Sequence, residues 1–241
     1  MDLFAGLVQA CRYCGELEAS VAAHERAHHL DPHVATSVAH TWFLLGDYQR
    51  TIEFYGTRGG FYLDCAARVM LGNNNEGALA RLRERERSAA ATGSVRAIMQ
   101  SLRAWLDGDA AGCLHAIELG ESQTRRDPET LFYTARHLAQ IGEHERAVRV
   151  ISEVVDSGFL CGSALWCDPW LTPLRALPEY SRLLDNVQQQ QSRVHASFLE
   201  AGGPELLNMT SERTWPQPGM GASTPAQRFI VFSSSRPPAL R

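Results

Sequence analysis

The stretch Phe4-Ala5-Gly6-Leu7-Val8-Gln9-Ala10-Cys11-Arg12-Tyr13-Cys14-Gly15 decides the fold class. Phe4, Leu7, Val8 and Cys11 fall at i, i+3, i+4 and i+7, the spacing of one face of an α-helix. Gly15 is suited to end that helix, because glycine adopts the left-handed conformation without a Cβ penalty. A second helix then runs to about Leu30, with Val21, Ala23, His24 and Ala27 on its inner side. Asp31-Pro32 closes it, since proline disfavours helix in the residue before it. The unit is helix, turn glycine, helix.

The same plan recurs along the chain. Aligning Gly15, Gly46, Gly72, Gly108 and Gly142 gives spacings of 31, 26, 36 and 34 residues. Apolar helical stretches flank each glycine: Val38, Ala39 and Trp42, then Ile52 and Tyr55; Tyr62, Cys65, Ala66 and Val69, then Ala78, Leu79 and Leu82. Ile98, Leu102 and Trp105 precede Cys113, Leu114 and Ile117; Leu131, Ala135 and Leu138 precede Ala147, Val150, Ile151 and Val154. These patterns predict ten helices, paired antiparallel, over residues 2–157. A lone hairpin cannot bury its apolar face, whereas stacked hairpins share one continuous core. The expected fold is therefore all-α, an α-solenoid of about five hairpins.

The first unit resembles a tetratricopeptide repeat (TPR), through Leu7, Ala27 and the closing Leu30-Asp31-Pro32, although it has Phe4, Val8, Cys11, Ser20 and His24 where the family prefers Trp, Gly, Tyr, Ala and Phe. Gly158-Phe159-Leu160-Cys161 followed by Asp168-Pro169-Trp170-Leu171-Thr172-Pro173-Leu174-Arg175 and Pro178-Glu179-Tyr180 is similar to the end segment of TPR arrays attached to bacterial serine/threonine kinases, class III nucleotide cyclases and winged-helix regulators. The resemblance implies a right-handed superhelix that binds a protein or peptide in its concave groove, serving a cytoplasmic signalling system. An upstream kinase or cyclase effector domain is a partner it suggests.

Residues 158–207 are expected to cap the array. Pro169, Pro173 and Pro178 suit helix starts, and a long helix over 179–200 ends at Gly202-Gly203. Residues 208–241 are dense in Pro, Gly and Ser and are expected to be a disordered tail.

Composition narrows the function. All 23 basic residues are Arg, and the chain has no Lys. A Walker-A loop, a protein-kinase active site and a Schiff-base enzyme each use a Lys, so those chemistries are excluded in their usual form. The net charge of −4 gives no field for a nucleic-acid backbone. No apolar run reaches membrane-spanning length, and the acidic start Met1-Asp2 is unlike a signal peptide. Six cysteines spread over 241 residues are too sparse for a disulfide scaffold, which points to reduced thiols.

Three groups of residues could carry function. Gln9, Arg12 and Tyr13, His40 and Phe43, Met70, and Phe132, Arg136 and Gln140 are expected on the first helix of their hairpins, facing the groove. Their mixture of aromatic, guanidinium and amide groups suits a peptide or an acidic partner segment. Cys11-x-x-Cys14 with His24 and His28 offers zinc-ligand types, and a small metal- or thiol-dependent protein is the rival reading. Against it, Cys11 and His24 fall at packing positions, and Cys11-x-x-Cys14 ends a helix where a thioredoxin-type pair would start one. The run Arg81-Leu82-Arg83-Glu84-Arg85-Glu86-Arg87 reads as a phosphate or acidic-peptide site, or as a solvated face of alternating charge, which is favoured. The overall expectation is a non-enzymatic interaction module with no cofactor.

Overall fold

The computed structural model describes residues 2–56, 61–72, 75–87, 93–121 and 127–209. The expected disorder of the tail, apart from Asn208 and Met209, lies outside the described residues, as do Asn73 and Asn74.

The chain is all-helical among the described residues. Its helices are α1 (Asp2–Tyr13), α2 (Leu17–Leu30), α3 (Val38–Leu44), α4 (Tyr48–Gly56), α5 (Tyr62–Met70), α6 (Asn75–Arg87), α7 (Gly93–Leu106), α8 (Ala110–Glu121), α9 (Pro128–Gln140) and α10 (His144–Asp156). Then come α11 (Gly162–Cys167), a 3-10 segment (Pro169–Ala176), α12 (Pro178–Glu200) and α13 (Gly203–Leu206).

The turn after α1 shows why glycine is needed there. Gly15 has φ +81°, its N–H reaches the Arg12 carbonyl at 3.1 Å, and the Glu16 N–H reaches back to the Cys11 carbonyl at 2.8 Å. This pair of bonds satisfies carbonyls the helix end would otherwise leave open, and it requires a left-handed residue. Gly46 repeats the geometry at φ +79°, with Asp47 N–H on the Trp42 carbonyl at 2.9 Å. The chain thus reverses after α1 and after α3, and each helix packs on the next.

Successive odd-numbered helices also touch, α1 to α3, α3 to α5, α5 to α7 and α7 to α9. Helix α9 is the centre of the core. Every residue from Leu131 to Ala139 is buried, and Arg12 of α1, Phe43 of α3, Tyr62 of α5 and Ser101 of α7 all reach it. An amphipathic surface helix would bury one stripe only.

The C-terminal helices join this unit, which runs over Met1–Thr210. Leu183, Leu184 and Val194 pack on the main core, and Tyr180 donates its hydroxyl to the Leu165 carbonyl at 2.7 Å. The second half of α12 crosses to the first hairpin. Gln191 Nε2 donates to the Gly15 carbonyl at 3.4 Å, His195 Nδ1 lies 2.8 Å from Glu16 Oε1, and Phe198, Leu207 and Met209 join the cluster around Val8 and Ala23. The expectation that Pro173 starts a helix is corrected: it lies inside the 3-10 segment, whose start is Pro169, where the Asp168 side chain accepts the Trp170 N–H at 2.8 Å.

Candidate functional site

The expected groove residues come together; Gln9 is exposed on α1 and hydrogen-bonds Tyr13. They meet as a packed interior. Arg12 and Arg136 are 1% and 0% exposed, and Phe43 and Phe132 are buried with them. The expectation of an open groove is therefore corrected for these four side chains. Helix α9 meets α1, α3 and α5 through side chains: Glu129 takes Arg12 and His40, Tyr133 meets Phe43, and His137 meets Tyr62.

Arg12 makes the strongest of these joins. Its Nε and Nη2 meet Glu129 Oε1 and Oε2 at 2.9 and 3.0 Å, and its Nη1 donates to the Ser37 carbonyl and hydroxyl and to Thr41 Oγ1. The two-pronged contact is the form in which guanidinium and carboxylate bind best. His40 Nδ1 stands 3.1 Å from Glu129 Oε1 and 3.3 Å from the Tyr133 hydroxyl. Burial alone would raise the Glu129 carboxyl, but the charge and hydrogen bonds of His40 and Arg12 outweigh it and hold the group at about 2. Tyr13, half-buried, donates its hydroxyl to Asp127 Oδ1 at 2.8 Å and sets its ring edge against Phe159.

Arg136 sits between two aromatic faces, 5.0 Å from the Phe43 centroid and 4.8 Å from that of Trp170. Its Nε lies 2.6 Å from Asp168 Oδ2, out of line for a hydrogen bond, and its Nη2 reaches the Met70 sulfur at 3.2 Å. Gln140 Nε2 donates to the Trp170 carbonyl at 2.9 Å. Leu63 and Leu102 are buried in the same core.

Sequence reading missed a second polar chain. His137 is fully buried, with Ser101 Oγ 2.6 Å from Nδ1 and the Tyr62 hydroxyl 2.9 Å from Nε2. Ser101 spends its proton on the Ile98 carbonyl at 3.0 Å, so Nδ1 carries the ring proton and Nε2 accepts from Tyr62. Burial, reinforced by the Arg136 charge, lowers His137 to about 3 and keeps the ring neutral. The Ser–His pair is closed off from solvent, so it organises α5, α7 and α9 and meets no substrate.

The thiols are poor nucleophiles. Burial, helped by the charges of Cys14 and Glu16, pushes Cys11 up to about 11; Cys14 is raised by burial and Glu16. All six cysteines are free, and every one is shifted upward, chiefly by burial. The His24 and His28 rings meet at a tilt with centroids 4.4 Å apart, and His24 Nδ1 lies 2.8 Å from Thr36 Oγ1. Among the described residues no three His, Cys, Asp or Glu side chains gather as metal ligands, and no helix is long and apolar enough to cross a membrane.

The fold and this interior define an all-helical protein with a charged, aromatic core. Comparison with family models, curated proteins and solved structures gave no match.

Proposed function

We propose that the chain is a non-enzymatic protein–protein interaction module, a right-handed α-solenoid of five TPR-like hairpins with a helical cap. In this reading it is the regulatory or scaffolding segment of a bacterial cytoplasmic signalling system. The observation that carries the reading is the succession of ten helices, α1 to α10, packed neighbour on neighbour with left-handed glycines at the turns after α1, α3, α5, α7 and α9. Stacked helical hairpins of this kind present extended surfaces on which partners bind. Since Arg12, Phe43, Phe132 and Arg136 are buried, in this reading the partner engages the exposed positions beside them, such as Gln9.

The test is to isolate the tagged chain from its host after cross-linking, then rebuild the complex from purified components and size it by light scattering. A stoichiometric complex, weakened by Gln9→Ala at an unchanged melting temperature, supports the reading. Absence of any stoichiometric complex, or steady turnover of a small molecule by the purified chain, refutes it.

A further inference from the structure

Of the residues expected to grip a partner, Phe43, Met70, Arg136 and Gln140 are engaged with a segment of the chain itself or with one another around it. Arg136 lies between the Phe43 and Trp170 rings, and its Nη2 reaches the Met70 sulfur. The Trp170 ring also stands 4.5 Å from Trp105 and 5.6 Å from His137, centroid to centroid. Gln140 donates to the Trp170 main-chain carbonyl, and the Asp168 carboxylate stands beside the Arg136 guanidinium. A buried aromatic anchor, a charge contact and a side-chain amide on a main-chain carbonyl are means by which a protein surface holds a peptide.

The charge contact is incomplete. Asp168 has two tasks: its Oδ1 accepts the Trp170 N–H at 2.8 Å and starts the 3-10 segment, so Oδ2 alone is left for Arg136. Arg136 is fully buried, yet its Nε and Nη1 make no hydrogen bond. Arg12 shows the complete form, with Nε and Nη2 on the two oxygens of Glu129. Buried donors of a cation left without acceptors are costly, and a carboxylate with both oxygens free would satisfy them in a fork.

Cys167 and Pro169, just before Trp170, are exposed, whereas Leu171 and Leu174, just after it, are fully buried. The stretch is anchored on one side of Trp170 and open to solvent on the other. A 3-10 turn also has poorer hydrogen-bond geometry than an α-helix.

We propose that Asp168-Pro169-Trp170 is a built-in occupant of a peptide site on α3, α7 and α9, displaced by a partner segment that carries a carboxylate two positions ahead of an aromatic ring. The partner's ring takes the place of Trp170 against Trp105, its carboxylate takes the open donors of Arg136, and Gln140 holds its main chain. Leu171 and Leu174 stay in the core and tether the displaced stretch. The site is closed until the exchange occurs, so the apparent affinity is the intrinsic one reduced by the open fraction. That a partner polypeptide carries the displacing motif rests on the interaction-module reading; the occupancy by the chain itself does not.

The experiment titrates the full chain with a blocked peptide Asp-Pro-Trp-Leu and a control Asn-Pro-Ala-Leu, followed by nitrogen–proton spectra and amide hydrogen exchange. In the wild type the first peptide should shift the Arg136 Nε–Hε, Gln140 side-chain amide and Trp105 indole signals, and should speed exchange of the Trp170 amide. The control should move none of them. Asp168→Asn keeps an oxygen to cap the Trp170 N–H but loses the charge beside Arg136. Losing one charge-assisted contact of the built-in occupant raises the open fraction, so this variant should bind the peptide at least about tenfold more tightly. Asp156→Asn, at an exposed position on α10, should bind as the wild type does. Melting temperatures confirm that both variants fold, and the wild-type exchange readout needs no variant.

Unmoved Arg136 signals, shifts without faster exchange at Trp170, or an Asp168→Asn affinity no better than that of the wild type would overturn the proposal. A dimer in light scattering that the peptide dissociates would give the site to a second copy and overturn it too. A chain that opens to the peptide yet forms no stoichiometric complex with a partner keeps this site and loses the module reading. A chain that forms the complex with Arg136 and Trp170 unmoved does the reverse.

Discussion

Removing one partner of the Arg12–Glu129 pair should destabilise the chain severely. Both side chains are almost fully buried, at 1% and 5% exposure, so cutting one leaves the other charged and unpaired in the interior. Breaking a buried pair in this way costs about 3–5 kcal/mol, against at most about 1 kcal/mol for a surface pair. Glu129→Met should fall in the first range. Arg12→Met should too, and it also strips donors from the Ser37 carbonyl and Thr41 hydroxyl. The double variant Arg12→Met with Glu129→Met removes both charges and should recover most of the loss, since apolar groups of similar volume replace a buried pair at little cost.

The same carboxyl sets an acid limb. Glu129 is held at about 2, against an ordinary 4.5, so its contribution is complete above pH 4.5 and disappears as pH falls towards 2. The shift corresponds to about 3 kcal/mol. Urea titrations between pH 3 and 7 should show this limb in the wild type and a flatter one in Glu129→Gln. The reasoning is refuted if the single variants cost under about 1 kcal/mol, or if the double variant loses the sum of the two.

Other consequences follow from neighbouring groups. His137, lowered to about 3, should keep the nitrogen chemical shifts of a neutral ring protonated on Nδ1 at pH 5, where an exposed histidine is charged; a charged ring there would discard the Ser101–His137–Tyr62 chain. Because its folded value lies below the ordinary 6.5, His137 should add to acid destabilisation as pH falls from 6.5 towards 3. Gly46→Ala, at φ +79° with open space around it, should cost about 1–2 kcal/mol of backbone strain in denaturant melts. Gly15→Ala adds an encounter with the Gln191 side chain and the Leu160 carbonyl, so it should cost more and raise hydrogen exchange in the second half of α12; equal losses would show that α12 does not bear on that turn. Tyr180→Phe leaves the Leu165 carbonyl unpaired and should cost about 1–3 kcal/mol by thermal melting.

The helices were legible in the sequence because their causes are local. Periodicity of 3.6 residues placed α1 through Phe4, Leu7, Val8 and Cys11, and a glycine announced its end. The long helix near 179–200 announced itself through Pro178 and Gly202-Gly203 and stands as α12. The run on α6 was legible as charge, but the approach of Arg81 to the buried Asp64 of α5, at 3.5 Å, was not.

The site was legible in membership and illegible in state. Arg12, His40, Phe43 and Arg136 are expected on one face from their spacing; in the structure Arg12 and His40 meet Glu129, and Arg136 lies over the Phe43 ring. Nothing in their spacing says that Arg12, Phe43 and Arg136 are buried. Glu129 lies 117 positions from Arg12, and His195 lies 179 from Glu16, so no window along the chain contains both members of either pair. By itself the sequence determined which residues coil and where they turn, since hydrogen bonds four residues apart and glycine's backbone freedom act within one stretch. Only the tertiary structure decided that Glu129 of α9 takes Arg12 of α1 and that α12 crosses to the first hairpin. That choice depends on burying complementary charges and rings from distant segments against one another, a balance that is struck only when the whole chain is assembled.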